Sequence, residues 1–157
     1  MMGVRHHFQG HVMTRRSMWL CAVLLAATAV TAQAADGDTV YPSQLLDSKP
    51  ALAKQYAALV KPVQPAHGWV AAGQGTETPV SHVTIAGTDY AVLASCKPHD
   101  CASENVVALM QPGASKAAGA LVVNHGDDGS GPGQSEITWL GAPSADQRRF
   151  IGAYLFR

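Results

Sequence analysis

Val80–Ser95 reads VSHVTIAGTDYAVLAS, and this stretch decides the fold. Val83 and Ile85 alternate with polar neighbours before Gly87, and Tyr90 and Val92 do so after it. That period of two, in β-branched and aromatic residues, predicts a hairpin with strands over 80–86 and 88–95 joined at Gly87. Downstream, Glu104–Met110, Ala118–Asn124 and Gln134–Leu140 (QSEITWL) complete about five strands, with turns at Pro112-Gly113 and in NHGDDGSGPG. The polar, glycine-rich segment 126–133 reads as a hairpin tip. Consecutive strands with short links make an antiparallel meander. Upstream, Ser48 and then Pro50 open a helix whose Leu52, Tyr56, Leu59 and Val60 share one face, and Pro62 ends it. That helix is expected to cap one side of the sheet. At the other end, Ser144 and Gln147 form a capping box, and Phe150, Ile151, Tyr154 and Leu155 give a closing helix its apolar face. Helices before and after an all-strand block give an α+β fold class: an antiparallel sheet of about five strands flanked by helices.

The start of the chain reads as an export leader. Arg15-Arg16 precede the uncharged run SMWLCAVLLAATAVT (17–31), and Ala32-Gln33-Ala34 supplies small residues at −3 and −1 of a cleavage site after Ala34. The run is shorter than the ~20 apolar residues of a membrane span, so a signal peptide over 1–34 is expected, with Met13 as an alternative start. Thr14-Arg15-Arg16 fits a twin-arginine signal loosely, and a general secretory signal fits better. Cys21 has no lipobox before it. Roughly 120 residues then remain, 35–157, enough for one domain with its own core. Three of the eleven cations lie in the leader and all eleven carboxylates lie after it, so the mature chain carries eight against eleven, a net −3. Such a surface disfavours nucleic acid and anionic membrane and suits a basic partner.

With Cys21 removed, two cysteines remain, in Cys96-Lys97-Pro98-His99-Asp100-Cys101. Two thiols five residues apart in an exported protein read as a disulfide-closed loop, here in the link between the second and third strands. Pro98 fixes its own φ and pushes Lys97 toward extended conformations, so the ring has few shapes and loses little freedom on binding. A rigid polar knob of this kind suits insertion into another protein's cleft. Other readings are weaker. Half a zinc site would need ligands from His67, His82 or His125, so no metal is expected; redox chemistry wants Cys-X-X-Cys. Ser95, His99 and Asp100 crowd one small ring, a poor way to assemble nucleophile, base and orienter, so no enzyme and no cofactor is expected. A structural disulfide without a ligand is the bland alternative. Trp69, Trp139 and Tyr90 read as core aromatics, His67 and His125 as solvated, and His82 as a sheet-face residue.

The loop CKPHDC, Trp69-Val70 after a helix and Thr138-Trp139-Leu140 in the last strand together resemble the Ivy family of periplasmic inhibitors of vertebrate (c-type) lysozyme. The resemblance spans most of the chain after the leader and is most specific at the loop. It implies a Gram-negative periplasmic protein evading host defence, not an enzyme, with the loop protruding. Cys96 and Cys101 would form the disulfide, His99 would enter the lysozyme cleft, and Lys97, Pro98 and Asp100 would shape and support it. Asp100 would orient the His99 ring or hold the loop backbone. Lys97, facing a basic enzyme, would serve the rim or the backbone geometry. The 126–133 segment and the C-terminal tail are less family-like, so monomer or homodimer stays open. The alternative target is the cell's own muramidase-like lytic transglycosylases.

Overall fold

A computed structural model describes residues 39–126 and 133–156. The expected leader and most of the glycine-rich tip lie outside the described residues. Along the chain run α1 (Pro42–Ser48), α2 (Pro50–Val60), a 3-10 turn (Gly68–Val70), β1 (Thr76–Glu77), β2 (Ser81–Ile85), β3 (Thr88–Cys96), β4 (Glu104–Met110), β5 (Ala118–His125), β6 (Gln134–Gly141) and α3 (Ala145–Leu155). The hairpin forms where the alternation places it. Ile85 pairs with Thr88, leaving Ala86-Gly87 as a two-residue loop with φ of 49° and 77°. Two positive φ values mark a type I′ turn, whose twist matches that of the flanking strands.

All six strands pair antiparallel, in the order β1-β3-β4-β5-β6 with β2 also on β3. From β2 onward the sheet is the expected meander. The sixth strand is β1, which shares one edge of β3 with β2: Thr76 and Glu77 pair with Cys96 and Ser95, while β2 pairs with Thr88–Val92. A two-residue strand has no alternation to read, and only its tertiary pairing makes it one. The same holds for α1, seven residues long with Pro42 and Leu46 buried. Its second residue, Ser43, donates from its N–H (2.9 Å) and its hydroxyl (2.7 Å) to the Glu77 carboxylate, which answers a free donor of the first turn from a distant strand. Ser48 therefore ends α1 instead of opening α2, and Lys49 is the N-cap of α2. Lys49 precedes Pro50 and has φ −133° and ψ 82°, outside the α region, as a residue before proline must be.

Helices cover both sheet faces. On one, Leu52, Tyr56, Leu59 and Val60 of α2, with Leu46 of α1, pack on Ala91, Leu93, Val106, Ala108, Met110, Leu121 and Leu140. On the other, Ile151 of α3 is fully buried against Val92, Ala94, Val107, Leu109 and Ala120, with Phe150, Tyr154 and Leu155 around it. The capping box at Ser144 and Gln147 is formed, with Gln147 N–H donating to Ser144 Oγ at 3.2 Å and Ser144 N–H to Gln147 Oε1 at 2.7 Å. Burial on both faces explains why β4 reads as the run NVVALM, not as an alternation. Gly119 in β5 is required by close approach: a Cβ there would lie 2.4 Å from the Val107 carbonyl oxygen and 3.3 Å from Leu59 Cδ2. The β3–β4 link lies at the end of the sheet where β5 finishes at His125 and β6 begins at Gln134.

Candidate functional site

The link between β3 and β4 is closed at three levels. Cys96 pairs with Asn105, and Lys97 N–H donates to the Glu104 carbonyl at 3.1 Å, ending the ladder. Asp100 N–H donates to the Lys97 carbonyl (3.0 Å) and Ser103 N–H to the Asp100 carbonyl (3.1 Å), so two turns follow one another. The Cys96–Cys101 disulfide then bridges the first, with Cα atoms 4.8 Å apart. In that turn Pro98 occupies the second position and His99 the third, at φ 62°. A proline followed by positive φ is the type II pattern, in which glycine or asparagine normally takes the third place. His99 thus holds a left-handed conformation that costs a residue with a Cβ about 1–2 kcal/mol. It is also exposed, while Lys97, Pro98 and Asp100 are half-buried.

The turn is braced from beneath by Glu104, the first residue of β4. Its carboxylate accepts from Lys97 Nζ (2.7 Å, Oε1), Trp69 Nε1 (2.7 Å, Oε2) and lies 2.7 Å from His67 Nδ1. Only 12% of the Glu104 side chain is exposed. Desolvation pushes this carboxyl up, but the hydrogen bonds from Lys97, Trp69 and His67 together outweigh it and bring Glu104 down to about 2. The Lys97 ammonium is held above its ordinary value, chiefly by the same bond. The Asp100 carboxylate lies 3.6 Å from Lys97 Nζ; among the described residues, that cation is its partner. Two asparagines hold the far side of the loop. Asn105 donates to the Cys101 carbonyl (2.9 Å), and Asn124 of β5 donates from its side chain to the Ala102 carbonyl (2.7 Å) and from its N–H to the Ser103 carbonyl (2.7 Å). Ser135 of β6 in turn donates to Asn124 Oδ1 at 2.7 Å.

The six loop residues therefore stand together, as the sequence suggests. The reading missed what lies under them. Trp69 is a core aromatic, packed against the α2-side cluster, and also a hydrogen-bond donor to Glu104. His67, expected to be solvated, is bonded to that carboxylate. The 3-10 turn carrying Trp69 is fixed by Tyr56, whose buried hydroxyl donates to the Val70 carbonyl at 2.8 Å and whose pKa burial raises to about 12. Only one signal for Glu104 was present in the sequence, a lone carboxylate opening an apolar strand three residues after a loop cysteine. His125, as expected, is exposed, 3.8 Å from Glu136.

The geometry presents a convex tip. An exposed imidazole stands on a backbone with little freedom, able to donate or accept a hydrogen bond in a cleft supplied from outside. Among the described residues, no group of three or more His, Cys, Asp or Glu side chains could hold a metal ion. A hollow of about 260 Å³ lined by Gln55, Leu59, Pro62, Lys116 and Gly141 lies at the opposite end of the sheet.

Comparison with known proteins points to one family. A family model described as inhibitor of vertebrate lysozyme (Ivy) matches residues 51–153, from α2 to α3 and including the whole loop. The chain is 32% identical over 77 residues to the inhibitor of vertebrate lysozyme of Escherichia coli, covering 49% of this chain and 46% of that protein. It is 28% identical over 88 residues to the inhibitor of vertebrate lysozyme of Pseudomonas aeruginosa, covering 53% of this chain and 57% of that one. The chain spans about half the length of the curated relatives it matches.

Proposed function

The chain belongs to the Ivy family, and we propose that it is a periplasmic inhibitor of c-type lysozyme that occludes the enzyme's cleft with His99. The observation that carries this reading is the state of His99: exposed, at φ 62°, on a turn closed by a disulfide and held by β1, β4 and β5. Such a conformation is retained against its cost where the surroundings over-determine it, as they do at many ligand clamps, and this supports the reading. Lysozyme works with two carboxyl groups of unequal pKa in a concave site. An imidazole placed between them donates to the ionised carboxylate and accepts from the protonated acid, or pairs with both as the cation. Either arrangement excludes water and sugar together. No covalent step is needed, and the protein acts as a ligand, not as an enzyme. The leader expected over 1–34 supplies the route to the periplasm, and the mature net charge of −3 favours encounter with a basic enzyme.

The test is c-type lysozyme activity on bacterial cell walls, titrated with the mature protein and with His99→Ala. Near-stoichiometric inhibition by the parent, lost in the variant, is the expected result. Equal inhibition by both would keep the activity and remove His99 from it. An inactive parent would overturn the target, and endogenous lytic transglycosylases would be assayed next.

A further inference from the structure

We propose that Glu104 is the positioning residue of the inhibitory loop, holding the Lys97–Asp100 turn that presents His99 and neutralising the loop's cation before a basic partner meets it. This rests on the function proposed above and extends it to a residue outside the six-residue ring. Three observations converge. First, Lys97 is held by Glu104 twice, through its N–H on the carbonyl (3.1 Å) and through its ammonium on the carboxylate (2.7 Å), so the first residue of the turn is fixed in both backbone and side chain. Second, the carboxylate is itself anchored by Trp69 and His67, from a segment outside the sheet. Trp69 packs on the core and the next residue, Val70, is fully buried. The support under the loop is thereby continuous with the interior. Third, Lys97 Nζ, two residues before His99, is within reach of two carboxylates that follow it, Glu104 (2.7 Å) and Asp100 (3.6 Å). One cation between two anions leaves the loop with a net negative charge. This accounts for a lysine at the centre of a surface that is to approach a basic enzyme: its charge is answered internally.

The experiment uses the mature protein, Glu104→Gln, Lys97→Met and the double variant, each confirmed folded at the assay temperature by near-ultraviolet circular dichroism. Glu104→Gln keeps size and removes the charge; Lys97→Met breaks the same contact from its exposed side and serves if the first variant fails to fold. Two readouts are taken: backbone 15N order parameters of residues 99–103, which need no lysozyme, and the inhibition constant against c-type lysozyme. In either single variant the order parameters are expected to fall from about 0.85 toward 0.6, and inhibition to weaken at least about tenfold. The double variant is expected to be no worse than the poorer single one, since both delete one contact. A loop as ordered in the variants as in the parent overturns the proposal, and so does a loosened loop with undiminished inhibition. A parent that fails to inhibit, with variants whose loops loosen, overturns the function and leaves the positioning role supported.

Discussion

Acid titration of the Glu104 network offers the sharpest quantitative test of the structure. The perturbation is a fall in pH from 7 to 2, applied to the mature protein and to Glu104→Gln. In the folded state the carboxyl is brought from its ordinary 4.5 down to about 2. At about 1.4 kcal/mol per tenfold, that difference corresponds to about 3 kcal/mol of stability. Part of it rests on Lys97, whose side chain is 41% exposed, and solvent screening reduces the figure to about 2 kcal/mol. The sign follows from proton counting: between 4.5 and about 2 the unfolded chain binds a proton that the folded chain does not, so stability falls as the pH falls. Above 4.5 the contribution is fully present. Urea unfolding at pH 7, 5, 4, 3 and 2 measures the gap between the two proteins. The other carboxylates titrate in both and cancel. The gap is expected to be about 2 kcal/mol at pH 7 and to close as the pH drops through that window. A gap that stays constant with pH, or is absent at pH 7, would refute the reading of Glu104 as a buried, multiply bonded anion.

Cys101→Ser, or reduction of the parent, should weaken inhibition while the domain stays folded, because so short a ring contributes only roughly 2 kcal/mol; inhibition assays beside a thermal melt check this, and undiminished inhibition would show the brace to be unnecessary. Association with lysozyme should slow as salt rises from 0.02 to 0.5 M at nearly constant dissociation rate, by stopped-flow fluorescence, through steering by the net −3 charge; a salt-independent on-rate would exclude it. Gly119→Ala, placing a Cβ 2.4 Å from the Val107 carbonyl oxygen, should destabilise by about 2 kcal/mol or more through displacement of β5 from β4 or of Leu59, and a melting temperature within a degree of the parent would contradict that approach.

The parts of this fold that were legible are those whose signals are local. The Val80–Ser95 alternation, the α2 face of Leu52, Tyr56, Leu59 and Val60, and the Ser144–Gln147 box each lie within sixteen residues, and each formed where read. The parts that were not legible take their stability from across the chain. Helix α1 depends on Glu77, thirty-four residues from Ser43, and β1 exists because Cys96 and Ser95 offer an edge. The site divides in the same way. Two cysteines, a proline and a histidine in six residues announce a constrained loop, whereas Glu104, Trp69 and His67 are ordinary in sequence. Only folding brings the last two, thirty-five and thirty-seven residues upstream, onto one carboxylate.

The placement of that carboxylate bears on peptide mimicry. A synthetic cyclic CKPHDC reproduces the covalent ring and the proline, yet it omits Glu104, the asparagine donors and the indole below. Its lysine then keeps only the Asp100 carboxylate as partner, and nothing but the ring and the proline holds its histidine at positive φ. A mimic built from this protein should therefore carry the turn on a two-stranded hairpin that retains the residue after Ser103, with a D-residue, whose mirror-image preference favours positive φ, considered wherever the left-handed backbone must be kept without its scaffold.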